Sequence, residues 1–300
     1  MKRTGSRLIN QVALIVLLSL VLVWAAAAYE LYRSRQTDLH EAEVRTAVQA
    51  HVFAEYSRST LKRINEFLLD LRRDWNGDWK SFAASVQRRQ ENIDDLTFQV
   101  AVIDREGILS YSNLAKPTDR VDLSQREHFK VHQESGSADR LFVSRPLMGK
   151  VSGKWSIQIT RPILKNGQFD GVLVVSVSPA QFAGFAEKLR IDQDGSLSVV
   201  RNTGEIMAHY PSLASSLGQV LQGLTFLGSD SAISGNFRLI DKGDGKDRIY
   251  GYYRLPEYGM NFSLGEAVSD ILAPYYLHQR TVLFGAGAIS LLALLLFFMF

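Results

Sequence analysis

Two long runs of uncharged, mostly apolar residues stand near the ends of the chain. They are Val12 to Ala28 and Thr281 to Phe300. An α-helix rises about 1.5 Å per residue, so about 20 apolar residues cross a hydrocarbon core of about 30 Å. The pattern therefore predicts one transmembrane helix over residues 12–29 and a second over residues 281–300.

Helical periodicity follows the first run and continues for about forty residues. Apolar side chains recur at spacings of three to five, mostly four, and charged side chains fill the other faces. The stripe consists of Val44, Val48, Val52, Tyr56, Leu61, Ile64, Leu68 and Leu71. It predicts a long helix that ends near Gly77, followed by a shorter helix from Lys80 to Asn92, both within residues 30–92. The long helix either covers one face of a domain or forms a homodimer stalk continuous with the first span.

The period of the apolar positions then changes to two, which is typical of β-strands. Gly107 and the pair Asn166-Gly167 suit the turns of two hairpins, and Pro179 suits the first turn of a helix. The pattern predicts a first lobe over residues 93–190, with strands at 97–104, 108–112, 155–163 and 171–177 and a helix at 179–190.

The strand–turn–strand pattern of residues 102–109 returns at residues 200–207. In both segments an Asp or Asn opens the turn and a glycine supplies the left-handed dihedral. A second lobe is therefore predicted over residues 191–268. Its elements are strands at 197–202, 205–210, 236–241, 247–255 and 261–268, with a helical stretch at 213–227. An exit helix at 269–280 leads into the second span, and the fold class is α+β.

The flanking charges predict the orientation in the membrane. Lys2, Arg3 and Arg7 precede the first span without a compensating acid, which places residues 1–11 in the cytoplasm. Two spans then place the region between them in the periplasm of a two-pass inner-membrane protein. The alternative is a signal peptide cleaved near the alanines at 25–28, but the apolar run is longer than the usual 7–15 residues.

Composition excludes several classes of protein and site. The chain has no cysteine, so disulfides and thiolate metal sites are excluded, and a net charge of +3 gives no reason to expect a nucleic-acid partner. His128 and His132 have the spacing of two metal ligands on one helix face, but no third ligand is evident. No nucleophile elbow, phosphate loop or convincing carboxylate pair is present, so neither an active site nor a cofactor is expected.

Three segments resemble the double Cache family of extracytoplasmic sensors. They are VIDREGILSYSN at 102–113, REHF at 126–129 and the stretch from Leu141 to Val177. The resemblance implies two PAS-like antiparallel-sheet lobes fed by a long N-terminal helix. The combination is most similar to sensors attached to diguanylate cyclases, and sometimes to histidine kinases. We also expect an output module to follow Phe300, since a receptor needs a cytoplasmic output domain to report.

The resemblance also implies a ligand pocket in the first lobe. Arg126 would bind an anionic group, with His128 and Phe129 as ring partners, Arg145 as a further cation, and Trp155, Gln158 and Arg161 on the facing strand. Alternation does not reveal which side of that strand faces the pocket. Relatives that bind α-amino acids carry an Asp near the position of Ser176, and a buried ammonium without a carboxylate is costly. A small carboxylate or another small anion is therefore the expected ligand.

Two other functions fit the same sequence. The double lobe could be a ligand-free spacer or a docking module for another protein, and a histidine kinase or chemoreceptor is an alternative to the cyclase. An extracytoplasmic enzyme is disfavoured because no catalytic constellation is present.

Overall fold

The computed structural model describes residues 2–90, 97–189, 191, 194–211, 214–221, 224–228, 231–241 and 244–299. Its helices are α1 (Lys2–Asp74), α2 (Trp79–Gln90), α3 (Glu127–Ser135), α4 (Pro179–Ala183), α5 (Phe185–Lys188), α6 (Val268–Ile271) and α7 (Ala273–Met299). The strands of the first lobe are β1 (Gln99–Asp104), β2 (Leu109–Ser112), β3 (Phe142–Val143), β4 (Leu147–Met148), β5 (Trp155–Lys165) and β6 (Gln168–Val177). Those of the second lobe are β7 (Ser196–Arg201), β8 (Ile206–Tyr210), β9 (Ser234–Ile240), β10 (Asp247–Leu255) and β11 (Met260–Ala267).

The strands form two antiparallel sheets, one in each lobe. The first has the order β2-β1-β6-β5-β3, with β4 also paired to β5, and the second has the order β8-β7-β11-β10-β9. The repeated turns have the predicted conformation, because φ is +87° at Gly107 and +96° at Gly204. The α+β fold with a long N-terminal helix and two sheet lobes is confirmed.

Contacts between residues divide the chain into two compact units. The larger unit contains Thr46–Phe237 and Tyr250–Gly265. Its core joins the second half of α1 to strands of both sheets, with Leu61 and Leu68 of α1, Ile157 and Val175 of the first sheet and Phe262 of the second fully buried. The two lobes therefore share one hydrophobic core within this unit.

The smaller unit contains Met1–Arg45, Arg238–Ile249 and Glu266–Phe300. Its core consists of Ala42, Ile249, Val268, Ile271, Leu272 and Tyr275. Arg45 and Glu266 form a two-pronged ion pair, with 2.9 Å between Nε and Oε1. By length and composition, the helices over Asn10–Asp74 and Val268–Met299 each contain a segment long and apolar enough to cross a membrane.

The apolar stripe of the long helix packs into the core of the domain only in its second half. Val44, Val48 and Val52 are about half exposed, whereas Leu61 and the later members are buried. Between Ala42 and Ser57 the buried face carries mostly small residues, which let the sheet approach the helix closely. At Gly251 of β10, a Cβ atom would lie 2.2 Å from the carbonyl carbon of Thr46. In this part of the helix, direct contact between the backbones of α1 and β10 takes the place of packing by large apolar side chains.

Three helical predictions also need correction. Residues 127–135 form α3, which the apolar pattern missed because two of its three buried residues are histidines. The stretch predicted at 213–227 contains short 3₁₀ turns at Ala214–Ser216 and Thr225–Leu227, with a positive φ at Gly218 between them. The helix predicted at 179–190 is divided at Gly184 into α4 and α5. The predicted ends at 91–92 and at 190 lie outside the described residues.

We expect Gly251→Ala to destabilise the protein by about 3 kcal/mol or more, because the new methyl group meets backbone atoms that have no room to move. Gly136→Ala is the control, since φ there is +62° and nothing lies within 4 Å of the added carbon. Only backbone strain of about 1–2 kcal/mol is expected at that position. Denaturant unfolding of both variants measures the difference, and an equal loss would contradict the close approach.

Candidate functional site

The segment REHF lies at the start of α3. Arg126 precedes the helix with an extended backbone, and Glu127 occupies the first turn, where an acidic side chain is favoured by the helix dipole. His128, Phe129 and His132 form the buried face of the helix. This arrangement places Arg126 and His128 beside the first sheet.

A cavity lies between the start of α3, the first sheet and the segment 147–151. Its empty volume is about 380 Å³, including the part that opens to solvent. The apolar lining residues are Ala101, Ile103, Leu109, Leu123, Leu147, Val151 and Val174, beside Gly149. The polar lining residues are Gln99, Arg126, His128, Lys150, Gln158 and Ser176. The described lining therefore includes two cationic side chains and no acidic side chain.

A row of polar side chains crosses the sheet at the cavity. Gln99 of β1 and Gln158 of β5 are both in register with Ser176 of β6. The hydroxyl of Ser176 lies 2.7 Å from Oε1 of Gln158 and 3.3 Å from Oε1 of Gln99. The amide nitrogens donate outward, from Gln99 to Ser112 at 3.0 Å and from Gln158 to Ser156 at 2.8 Å. The row is therefore hydrogen-bonded along its length although it is buried.

Arg126 is partly exposed at the edge of the cavity. Its Nη2 atom donates a hydrogen bond of 3.2 Å to the carbonyl oxygen of Met148. Among the residues that the structure describes, no carboxylate forms an ion pair with Arg126. Lys150 on the same rim donates to the carbonyl oxygen of Asp122 at 2.7 Å. Both cations keep donors for a further anionic partner, since a guanidinium has five N–H groups and an ammonium three.

His128 is only 4% exposed and lines the cavity. Its Nδ1 atom has no hydrogen-bond partner. Burial, with a smaller contribution from Arg126, lowers the pKa of His128 to about 3, so the ring is neutral at physiological pH. A neutral ring has one donor and one acceptor nitrogen. His128 thus combines a place in the cavity lining with a polar atom that has no partner.

Four of the residues predicted for the pocket do not line the cavity. Phe129 is fully buried on the neighbouring face of α3, with its ring centroid 5.7 Å from that of Phe169. Arg145 is exposed, and its backbone is hydrogen-bonded: the N–H donates to Glu127 at 3.2 Å and the carbonyl oxygen accepts from the Ser144 hydroxyl at 2.8 Å. Trp155 and Arg161 lie on the opposite face of β5 from Gln158, because they share the parity of Ile157 and Ile159 in the core.

Arg161 has a different set of contacts. It pairs with Asp139 at 2.6 Å and donates to Oδ1 of Asn65 on α1 at 2.6 Å. The structure thus answers the question that alternation left open: the face of β5 with Ser156, Gln158 and Thr160 is the face on the cavity side of the sheet.

Two polar residues of the lining, Gln99 and Lys150, were not among the predicted site residues. Gln99 is a polar residue in an otherwise apolar strand, and this pattern could have identified it, because a buried amide needs a hydrogen-bond partner. Lys150 lies in the turn between β4 and β5, where a lysine is usually solvated, so its position gave no signal. Ser176 was noted only because it stands where relatives carry an acid.

His128 and His132 do not form a metal site in the described chain. Nε2 of His132 lies 2.9 Å from the hydroxyl of Thr160, so that nitrogen already has a partner. No group of three or more histidine, aspartate or glutamate side chains is arranged to hold a metal ion among the described residues.

A family model described as a Cache domain matches residues 28–275. The chain belongs to the Cache domain family. The resemblance to double Cache sensors is thereby confirmed, and the region is a ligand-binding sensor module and not an enzyme. A comparison with curated protein sequences gives no match.

Three solved structures with the same fold are sensor domains of receptors. The extracellular domain of a protein assigned as a histidine kinase has a TM-score of 0.69 and 22% identity, covering 78% of this chain and 98% of that one. The chemoreceptor CtaA of Pseudomonas fluorescens, solved with L-isoleucine, has a TM-score of 0.60 and 17% identity, covering 80% and 98%. The amino-acid chemoreceptor PctC of Pseudomonas aeruginosa, solved with GABA, has a TM-score of 0.55 and 17% identity, covering 75% and 99%.

The buried histidines of this Cache domain make its stability depend on pH. Burial lowers the pKa of His128 to about 3 and that of His132 to about 4, from 6.5. As the pH falls below 6.5, the unfolded chain takes up these protons before the folded chain does, so the free energy of unfolding decreases. Between pH 6.5 and 5 we expect a loss of about 1–2 kcal/mol for each histidine.

Denaturant unfolding of the wild type and of His128→Asn across pH 7.5 to 5 measures this loss. The variant is expected to lose stability less steeply with acid, because one of the two titrating rings is gone. His132→Asn should behave in the same way, and the double variant should have the shallowest dependence. An unchanged slope in His128→Asn would show that the ring is not held neutral.

Proposed function

We propose that this Cache domain senses a small carboxylate that binds in the first-lobe cavity. The observation that carries the proposal is the described lining itself, which contains Arg126 and Lys150 and no acidic side chain. The guanidinium of Arg126 would bind the carboxylate, since charge-assisted hydrogen bonds of this kind are among the strongest in proteins. The unpartnered Nδ1 of His128 would bind a second polar group of the ligand.

An α-amino acid is the second candidate ligand, because the solved neighbours include chemoreceptors bound to L-isoleucine and GABA. Its ammonium group would meet Gln99, Ser176 and Gln158, which are neutral. A charged group that leaves water without a charged partner is strongly disfavoured. The polar row therefore favours a ligand with a hydroxyl or oxo group over one with an amine.

L-Lactate and L-alanine decide between these ligands, because they differ only in a hydroxyl against an ammonium group. We expect L-lactate to raise the unfolding midpoint of the full chain in detergent and L-alanine to leave it unchanged. A ligand at 100 times its dissociation constant adds about 2.7 kcal/mol. Acetate, pyruvate, succinate and L-isoleucine complete the panel.

Arg126→Gln is expected to weaken carboxylate binding by about 10- to 100-fold, because it removes a charge-assisted hydrogen bond. Arg145→Gln is the matched control, since Arg145 is an exposed arginine close in sequence that does not line the cavity. Equal loss in both variants would point to a general effect of surface charge. Stabilisation by L-alanine and not by L-lactate would replace the carboxylate proposal with the amino-acid one, and no response to the whole panel would favour a spacer or protein-docking module.

We also propose that the receptor is a homodimer that pairs through α1. Val48 and Val52 are spaced by one helical turn and are 57% and 48% exposed, although they are large apolar residues. Val48→Asp places a charge on this face and is expected to shift the full chain in detergent from dimer to monomer, as measured by light scattering. Glu43→Ala, at an exposed position on a different face of the same helix, serves as the control.

We propose a two-pass inner-membrane topology with the sensor in the periplasm, which the apolar helices and the N-terminal cations support. The chain has no native cysteine, so a single introduced thiol can be labelled without background. Ser137→Cys, on an exposed loop, is expected to react with a membrane-impermeant maleimide in intact cells, and Ser6→Cys is expected to react only after lysis. Reaction of Ser6→Cys in intact cells would reverse the orientation.

For the output we propose a diguanylate cyclase, on the likeness of the segments at 126–129 and 141–177 to sensors of that class. A histidine kinase or chemoreceptor module is the second candidate, because the solved neighbours belong to such receptors. The coding sequence downstream of the Phe300 codon tests the choice: a kinase or methyl-accepting module there would replace the cyclase.

A further inference from the structure

Arg201, at the end of β7 in the second lobe, reaches a residue of the ligand-site helix in the first lobe. Its Nη1 atom lies 2.7 Å from Oε1 of Glu127, and its guanidinium carbon lies 5.4 Å from the centre of the Phe142 ring. The Arg201 side chain is only 17% exposed. Glu127, the first residue of α3, stands between Arg126 and His128, which both line the cavity.

Glu127 also holds the wall of the cavity. Its second carboxylate oxygen accepts a hydrogen bond of 3.2 Å from the backbone N–H of Arg145. Three residues further on, the carbonyl oxygen of Met148 accepts the hydrogen bond from Arg126. Arg126 and Glu127, at the start of α3, therefore hold both ends of the segment 145–148, which contributes Leu147 to the cavity lining.

Arg201 has a second carboxylate within reach, in its own lobe. Oε1 of Glu205 lies 3.9 Å from the same Nη1 atom. The Glu205 carboxylate is in turn hydrogen-bonded to the hydroxyl of Thr203. The guanidinium thus lies between an acid of the first lobe, at direct hydrogen-bond distance, and an acid of the second lobe that is further away.

We propose that Arg201 is a positioning residue for the first-lobe cavity, acting through Glu127, so that ligand affinity and the pairing between the lobes are coupled. The inference rests on the proposed function, because it assigns how the second lobe regulates that same site. A ligand that moves the start of α3 changes the Glu127–Arg201 pair, and by reciprocity the pair changes the affinity for the ligand by the same factor. Arg201 is also in register with Met260 of β11, and β11 is the strand that precedes α6.

Amide hydrogen exchange of the ligand-free full chain tests the positioning directly. In Arg201→Gln we expect faster exchange not only in β7 but also in the first turn of α3 and in segment 145–148, since these lose their link to the second lobe. Glu205→Gln is the matched control: it removes a carboxylate from the same arginine, and faster exchange is expected within the second lobe only. If exchange in Arg201→Gln changes in the second lobe alone, the positioning role is wrong.

Calorimetric titration of the full chain with L-lactate tests the coupling. Arg201→Gln and Glu127→Gln are each expected to weaken binding about fivefold or more, the lower end of usual coupling factors. The double variant should be no weaker than either single one, because both changes break one link. Arg201→Lys, which keeps the charge, should recover part of the affinity, and Glu205→Gln should not weaken binding.

The outcomes separate the two proposals. If the wild type binds no carboxylate, the proposed function fails, and the exchange measurement still decides whether Arg201 positions α3. If the wild type binds L-lactate and the double variant loses the product of the two single losses, Glu127 and Arg201 act independently and the coupling is refuted. Equal affinity in the wild type and Arg201→Gln would refute it as well.

Discussion

A buried polar group needs a hydrogen-bond partner, and this constraint governs the first sheet of the protein. Gln99, Ser176 and Gln158 lie buried on three adjacent strands of this sheet, and strand register brings their side chains together. An unpaired buried polar group costs about 1–3 kcal/mol, so a one-residue slip of β6 against either neighbour would be costly. The same bonds that fix the register give the cavity a polar but uncharged floor.

The long helix α1 packs against the second sheet through small residues and aromatic rings, not through buried hydrogen bonds. Ala50, Ala54 and Gly251 remove side-chain volume where helix and strand approach, while Phe53 fills the adjoining core next to Phe262 at 5.0 Å between ring centroids. Close backbone approach and dense aromatic packing are complementary, because the space that small residues give up is used by large ones nearby. Both lobes of the larger unit are thereby packed against one helix and share its core.

Periodicity and turn chemistry predicted most strands because both signals are local. The glycines of the repeated turns and the apolar run of β6 needed no knowledge of distant contacts. The buried face of α1 near Ala42 was missed, because close approach of two backbones depends on the tertiary structure. Alanine and glycine do not stand out in a pattern of large apolar residues. Helix α3 was missed because His128 counts as polar in any pattern, although burial makes it a neutral core residue.

The site was predictable only in part, for a related reason. Arg126 was predicted from the likeness to a known family. Strand alternation divided the candidates on β5 into two faces, one with Trp155 and Arg161 and the other with Gln158. The choice between Gln158 and Arg161 depended on which face of β5 packs against α1, and this is decided by residues almost a hundred positions away.

The hydrogen bond from Arg126 to the carbonyl oxygen of Met148 occupies one donor of the guanidinium within the protein itself. If the proposed carboxylate takes the Nη2 donor of Arg126, it must first displace this carbonyl, and the ligand concentration needed for a response would be higher. A change at position 148 that moves the backbone would then reset the sensitivity without altering any group that touches the ligand.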